Sequence, residues 1–132
     1  MRIFVDSSAV VALLVKNDGK HREAVAALRY FTEQSAELIL SNFVVAEIYN
    51  LLIARTYPGK AREWFLNNTW PIEAVSFSDE KRARWLIEKY ENKDFSYTDA
   101  TSFAVMERLE VDLAFTYDQH FRQYGFTTQN PK

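Results

Sequence analysis

Four acidic residues stand where carboxylates can do chemistry. Asp6 directly follows a short apolar run, and Asp118 comes shortly after another. Asp99 lies in the first turn of a helix predicted to begin near Ser96. Glu47 shares a helical stripe with apolar residues, and burying an unpaired carboxylate is so costly that such a group is usually paired or bound to metal. These four acids are therefore candidates for a functional site.

A cluster of these carboxylates would favour a divalent cation. Neighbouring carboxylates repel one another, and one or more takes up a proton unless a cation lies among them. The chain has no Cys and only two His residues, and oxygen ligands suit hard ions such as Mg²⁺ or Mn²⁺. Such an ion lowers the pKa of a water molecule and stabilises in-line displacement at phosphorus. The predicted chemistry is hydrolysis of a phosphodiester bond.

Each acid also has a purely structural explanation. Asp6 and Asp118 can be plain helix N-caps. Asp99 fits a capping box with Ser96, and Glu47 can be ion-paired to Arg or Lys in the core. No single acid decides between the explanations. Their joint arrangement favours a site, because three lie at strand-to-helix junctions and the fourth on an inward-facing helical stripe.

The acids must be positioned by the strands and helices of the chain. Short apolar runs alternate along it with longer stretches in which apolar residues recur at helical spacing. The runs predict strands over 2–5, 37–40, 72–77, 111–116 and 126–129. Periodic apolar positions predict helices over 7–15, 21–35, 41–57, 60–68, 96–109 and 118–124, and another that Ser78 caps, with Ala83, Leu86, Ile87 and Tyr90 on its buried stripe. Strands separated by helices imply a parallel sheet covered on both faces, with ligands beyond the carboxyl ends of its strands.

Composition narrows the class of protein. The 132 residues make one domain, with 48% hydrophobic residues and ten Phe, seven Tyr and three Trp to build a core. The absence of Cys excludes disulfides, zinc-thiolate sites and thiol nucleophiles. The longest apolar run, 9–15, is too short to span a bilayer, and the early Asp6 does not fit a signal peptide. We expect a cytoplasmic protein with no membrane association.

Four segments resemble the acidic motifs of PIN-domain ribonucleases. They occur in the family's order and at family-like intervals over almost the whole chain. The segments are 4–9 (Phe-Val-Asp-Ser-Ser-Ala), 43–48 (Phe-Val-Val-Ala-Glu-Ile), 95–100 (Phe-Ser-Tyr-Thr-Asp-Ala) and 115–121 (Phe-Thr-Tyr-Asp-Gln-His-Phe). The single-domain length of the chain is similar to that of the VapC-type toxins of bacterial and archaeal toxin–antitoxin pairs.

The resemblance implies an α/β/α sandwich with a mainly parallel sheet of four or five strands, forming a single PIN-like nuclease domain over residues 1–132. It implies RNA cleavage that depends on Mg²⁺ or Mn²⁺, a homodimer, and inhibition by a small antitoxin protein. By position, Asp6, Glu47 and Asp99 would be catalytic metal ligands. Asp118 would be the fourth acid of this set, more loosely held and reaching the metal through water.

Other polar residues have supporting or structural expectations. Ser7 or Thr116 would orient a carboxylate or a water molecule. Asp94 is expected to be a solvent-exposed loop acid. His120 is expected to lie on a helix surface or to pack against its neighbours rather than to act as a catalytic base, because metal-dependent hydrolysis needs no His.

Two further groups of residues have two explanations each. The basic run at 81–84 is either a solvated helix face or a patch that steers phosphates, and an RNA enzyme of net charge −2 needs some local basic surface. Trp64, Phe65 and Trp70 are core residues by default, and some of these rings could line a dimer or antitoxin groove.

Two other functions fit the same residues. One is a housekeeping RNA-processing nuclease of the same fold outside a toxin pair. The other is a non-catalytic protein-binding module, in which the acids are caps and ion pairs and the aromatic surface holds a partner. Stabilisation by Mn²⁺ separates the nucleases from the binding module, because a ligand that binds the folded state raises its stability by mass action.

Overall fold

Five parallel strands form the centre of the protein, described here by a computed structural model for residues 1–129. The strands are β1 (Arg2–Val5), β2 (Glu37–Ser41), β3 (Ile72–Glu73), β4 (Leu113–Phe115) and β5 (Thr127–Thr128). Their order across the sheet is β3-β2-β1-β4-β5, and every pairing is parallel. The chain builds outward from β1 on one side and then on the other. The switch in strand order therefore lies between β1 and β4, where open α/β sheets bind their ligands.

Seven helices within residues 1–129 flank this sheet and complete a three-layer α/β/α sandwich. The helices are α1 (Ser7–Leu14), α2 (His21–Glu33), α3 (Asn42–Arg55), α4 (Pro58–Asn67), α5 (Phe77–Lys89), α6 (Tyr97–Leu109) and α7 (His120–Tyr124). The predicted fold class is confirmed. None of the helices in this part of the chain is long and apolar enough to cross a membrane.

The core explains why the short strands are almost continuously apolar. Ile3, Phe4 and Val5 of β1 are all buried, as expected for a parallel strand covered on both faces. Helix α6 is also enclosed, since every residue from position 99 to position 106 is buried. Asp99 is the only acid in this stretch. The Asp99 carboxylate is therefore held at the start of a helix whose next two turns are buried in the core.

An aromatic cluster attaches the short helix α7 to α6. The ring of Phe103 stacks on that of Tyr124 with 4.6 Å between centroids, and it meets Phe121 edge-on at 5.0 Å. Gly125, with a φ of 125°, ends α7, because this backbone conformation is easily reached only by glycine. A helix of five residues is held in place by these ring contacts, since it is too short to be stable by itself.

The boundary between β3 and α5 differs from the prediction. Strand β3 has two residues, not the six predicted over 72–77, and the N-cap of α5 is Ser76 rather than Ser78. The reason is both local and tertiary. Ser76 and Asp79 form a capping box, and the Arg108 guanidinium donates hydrogen bonds to Asp79 at 2.9 Å and to Glu73 at 2.9 Å. This contact with α6 sets where the strand ends and the helix begins.

Helix α5 buries a narrower face than predicted. Ala83 and Leu86 are buried and Tyr90 is half-buried, whereas Ile87 is 40% exposed. The basic run lies on the outer face of this helix. Arg82 pairs with Glu107 at 3.1 Å and Arg84 with Glu88 at 3.5 Å, contacts that fit a solvated helix face.

Replacing Asp79 by Ala should lower the free energy of unfolding by about 2 kcal/mol, since it removes a helix cap and leaves the Arg108 guanidinium without its buried partner. Asp79 is buried, and hydrogen bonds from Arg108 and Ser76 hold the pKa of its carboxyl below the ordinary value although burial opposes them. Urea unfolding measures the change. The control is Glu88→Ala, an exposed acid on the same helix, which should change stability by less than about 0.5 kcal/mol. Equal losses for the two variants would contradict the role of Asp79.

Candidate active site

Asp6 is held at the carboxyl end of β1 by groups on both sides. Its backbone N–H donates to the Phe115 carbonyl at 3.0 Å, which continues the β1–β4 pairing by one residue. Its carboxylate Oδ2 accepts hydrogen bonds from the Ser8 hydroxyl at 2.8 Å and from the Thr116 hydroxyl at 2.9 Å. The side chain also caps α1 by accepting from the Ser8 backbone N–H. Asp6 is therefore a helix cap and a member of a wider polar network.

The hydroxyls of Ser8 and Thr116 also position the turn after β4. The Ser8 hydroxyl accepts the Tyr117 backbone N–H at 2.9 Å, and the Thr116 hydroxyl accepts the Asp118 backbone N–H at 3.0 Å. Each hydroxyl thus donates to Asp6 and accepts from the turn that carries Asp118. Ser8 was not among the predicted site residues, and the only sequence signal for it is its place two residues after Asp6.

Glu47 projects from α3 toward the same place. Its Oε1 accepts a hydrogen bond from the Ser7 hydroxyl at the start of α1. The side chain is half-buried, and no Arg or Lys within residues 1–129 forms a salt bridge with it. The core ion pair that could have explained this acid is therefore not formed in the described part of the chain.

Asp99 combines capping with membership of the acidic cluster. Its backbone N–H donates to the Ser96 hydroxyl at 2.9 Å, and its Oδ2 accepts the Ser96 backbone N–H at 3.1 Å, so the expected capping box is present. The same Oδ2 lies 2.8 Å from Nδ1 of His120. Capping accounts for the position of Asp99 in the helix but not for its neighbours.

His120 packs against a neighbouring ring, as expected, and it also lies between two of the acids, which the sequence did not indicate. Its Nδ1 is 2.8 Å from Asp99 Oδ2 and 3.2 Å from Asp118 Oδ1. Each of the three residues offers one possible metal-ligand atom, and these three atoms lie within 4.8 Å of one another. The Asp118 carboxylate also accepts the His120 backbone N–H at 2.9 Å, and the imidazole meets the Phe95 ring edge-on. Its position depends on the packing of α7 against α6, which the sequence pattern does not reveal.

Electrostatic repulsion connects the four acids. Burial raises the pKa of the Asp6 carboxyl to about 6, and the negative charges of Asp99 and Glu47 contribute to the rise. Burial likewise raises the pKa of Asp99, and the charge of Asp118 contributes there. Asp6 is only 3% exposed and Asp99 6%, so neither charge is well solvated. Asp6 is thus within electrostatic reach of Asp99 and Glu47, and Asp99 within reach of Asp118.

This donor set fits a divalent cation. It consists of carboxylate oxygens with one imidazole nitrogen. Two of the carboxyls, Asp6 and Asp99, have pKa values raised by burial and by the charges of neighbouring acids. A cation among them would offset the repulsion, and oxygen-rich sites suit Mg²⁺ or Mn²⁺. The role of each acid as a ligand stays a prediction, as do the supporting roles of Ser7 and Thr116.

Other predicted positions lie outside this cluster. Asp94 is exposed in the loop before α6, as expected. Trp64 and Trp70 are half-buried and line a cavity of about 500 Å³ against α1 and α2, whereas Phe65 is 48% exposed.

The fold and the site together define an α/β/α protein with an acidic site at the carboxyl edge of a parallel sheet. The PIN domain family model matches residues 3–127. The chain therefore belongs to the PIN domain family, as the four acidic motifs predicted.

Known relatives and structures agree with this assignment. The chain is 31% identical to the 23S rRNA-specific endonuclease VapC20 of Mycobacterium tuberculosis (strain ATCC 25618 / H37Rv) over 134 aligned residues, which cover 98% of this chain and 99% of that protein. The crystal structure of VapC20, described as a sarcin-ricin loop cleaving toxin, superimposes with a TM-score of 0.84 at 28% identity, covering 95% of this chain and 96% of that one. A toxin-antitoxin complex from Klebsiella pneumoniae contains a chain of the same fold, with a TM-score of 0.70 at 16% identity and 98% coverage of both chains.

Without metal, the stability of the protein should fall as the pH rises through the range in which Asp6 ionises. The pKa of Asp6 is about 6 in the folded chain against 3.8 for an ordinary Asp, so the folded state binds the proton more tightly than the unfolded state. The stability from that proton is present below about pH 4, decreases up to about pH 6 and is then lost, and its size is about 3 kcal/mol. Urea unfolding in EDTA across this range measures the slope. Asp6→Asn should reduce the slope, and an unchanged slope would contradict the assignment.

Two substitutions at Asp99 should separate its capping role from its charge. Asp99→Asn keeps an oxygen that can accept the Ser96 N–H and removes a charge from the cluster, so in EDTA it should melt above the parent. Asp99→Ala loses the cap as well and should cost about 1 kcal/mol. Thermal unfolding followed by circular dichroism compares the three proteins. If Asp99→Asn melted as low as Asp99→Ala, repulsion in the cluster would not limit the stability of the metal-free fold.

Proposed function

We propose that this chain is a metal-dependent endoribonuclease that hydrolyses RNA phosphodiester bonds and is the toxin of a toxin–antitoxin pair. The observation that carries the proposal is the chain of charge effects among the acids: Asp99 and Glu47 act on Asp6, and Asp118 acts on Asp99. The imidazole of His120 contacts two of these acids, Asp99 and Asp118. Membership of the PIN domain family and the likeness to VapC20 along the whole chain support the same function. We take the whole chain, 1–132, as one nuclease domain.

The four acids would hold the metal, with Mg²⁺ as the natural ion and Mn²⁺ as a substitute. When bound, the ion supplies a Lewis acid that activates water and stabilises negative charge during phosphoryl transfer. Of the two acids that contact His120, Asp118 is the more exposed, with 31% of its side chain accessible to solvent against 8% for Asp99. This difference suits a fourth acid that acts through water at the entrance to the site.

The residues around the acids orient them. The Ser7 hydroxyl fixes one oxygen of Glu47, and the hydroxyls of Ser8 and Thr116 fix one oxygen of Asp6. Hydrogen bonds of this kind leave the other carboxylate oxygens available to a cation and keep them in place before substrate arrives. We assign Ser7 and Thr116 this supporting role and add Ser8 to it.

The proposed partners are RNA, a small antitoxin protein and a second copy of the chain, all in the cytoplasm. The VapC20 relative is a 23S rRNA-specific endonuclease, so ribosomal RNA is the first substrate to test. Exposed apolar residues of the α4–β3 region are candidates for the protein contacts, because a monomer rarely exposes several together. They are Phe65, Leu66 and Ile72, at 48%, 63% and 48% exposed.

The proposal is tested by incubating the purified chain with ribosomal RNA in Mg²⁺ or Mn²⁺ and mapping cleavage by primer extension. We expect cleavage that stops in EDTA and falls by about 100-fold or more in Asp6→Asn, because charge stabilisation at the reacting phosphate is lost. The control is Glu88→Gln, which removes an exposed acid away from the cluster and should cleave like the parent.

Two further measurements distinguish the alternatives. Mn²⁺ should raise the melting temperature of the parent and not that of Asp6→Asn, as mass action requires of a folded-state ligand. Expression of the parent, but not of Asp6→Asn, should arrest bacterial growth. Cleavage without growth arrest would favour a housekeeping nuclease. No cleavage together with no response to Mn²⁺ would contradict the nuclease and favour a protein-binding module.

A further inference from the structure

A polar cavity of about 350 Å³ opens beside Asp118, on the side of the sheet where β5 lies. Its wall includes Thr116 and Asp118, so it shares an edge with the acidic cluster. The Gln129 side-chain amide accepts from the Thr116 N–H at 3.0 Å and donates to the Thr116 carbonyl at 2.7 Å. This pairing extends the β4–β5 edge beyond Thr128 and holds the wall of the cavity to the strand that leads into the site.

Two cationic side chains line this cavity, one from each end of the chain. Lys20 precedes α2 and extends over the Tyr117 ring, with Nζ 6.0 Å from its centroid, and Arg122 lies on α7. Lys20 and Arg122 bring positive charge to a cavity that Asp118 also lines.

A polyanion needs such charge next to this site. Four carboxylates repel an RNA strand, and a divalent ion at the scissile phosphate offsets only part of their charge. The phosphates on either side must be neutralised by the protein, and contacts of Lys and Arg with phosphate supply most of the sequence-independent affinity for nucleic acid. A cavity lined by Asp118 and by two cations has the chemistry to take a phosphate next to the one that reacts.

We propose that this cavity binds a backbone phosphate of the RNA substrate adjacent to the scissile phosphate, with Lys20 and Arg122 as its cationic contacts. The inference rests on the proposed nuclease function and assigns it a subsite. The subsite holds the strand in position without reading its sequence, because a phosphate is the same at every nucleotide.

An acid in the same cavity, Glu23, should have the opposite effect on RNA binding from the two cations. It lines the same cavity and lies 3.7 Å from Lys20, as an exposed ion pair. Such a pair contributes little to stability, but its carboxylate repels a phosphate and competes for Lys20. Removing this charge should strengthen RNA binding, whereas removing either cation should weaken it.

The test measures steady-state cleavage of a short single-stranded RNA by the full chain in Mn²⁺. Lys20→Ala and Arg122→Ala should each raise KM about fivefold while kcat changes less than twofold, and Glu23→Gln should lower KM about twofold. Each alanine variant should reduce the slope of log affinity against log salt by about 0.7. Arg84→Ala, which removes an equal charge from the outer face of α5, is the control and should cleave like the parent. The increase in melting temperature caused by Mn²⁺ should be the same in all of these variants.

The outcomes separate this inference from the function on which it rests. If the parent cleaves RNA and the KM values of the three cavity variants equal that of the parent, the subsite is wrong and the nuclease stands. If Lys20→Ala or Arg122→Ala loses the response to Mn²⁺, the residue supports the metal site and the subsite is again wrong. If the parent cleaves nothing, the nuclease proposal fails, and fluorescence anisotropy of the same RNA in EDTA decides the subsite: weaker binding by the alanine variants supports it, and equal binding overturns it. Glu23→Gln keeps the test decisive should an alanine variant fail to fold, because it predicts a gain.

Discussion

Carboxylates held close together and partly out of water are the constraint on which the rest of this structure depends. Asp6 and Asp99 are almost fully buried, and burial together with the charge of neighbouring acids raises the pKa of both. Each is kept in place by hydrogen bonds from hydroxyl or backbone groups. Holding these negative charges together therefore lowers the stability of the folded state, and a cation bound among them would restore part of that stability.

The network that holds the acids also joins distant parts of the chain. Ser8 and Thr116 lie 108 residues apart and both bind the Asp6 carboxylate, and each accepts an N–H from the turn that carries Asp118. His120 then connects that turn to the N-terminus of α6. A change in any of these side chains is felt by more than one acid, so the site behaves as a unit and its members are not expected to contribute independently.

Capping and clustering turned out to be compatible explanations of the same residues. Asp6 and Asp99 do cap their helices, and the dipole at a helix N-terminus favours a carboxylate there. Both acids nevertheless lie beside other acids, which a cap does not require. Glu47 is the exception, since it lies within α3, is not a cap and has no Arg or Lys salt-bridge partner in residues 1–129. It is the acid whose position is hardest to explain by helix stability alone.

Local chemistry along the chain was enough to predict a parallel sheet with helices between its strands, because alternating apolar runs and helix periods depend on neighbours a few residues apart. It also singled out four acids as candidate site residues. The start of α5 was harder to predict, since Ser76 and Ser78 are both possible caps, and the capping box of Ser76 with Asp79 is the one that Arg108 from α6 supports. The contact of His120 with the acids was not predictable for a similar reason. Its ring reaches Asp99 only because α7 packs on Phe103 through Phe121 and Tyr124, and contacts between side chains far apart in sequence come into being only when the core has assembled.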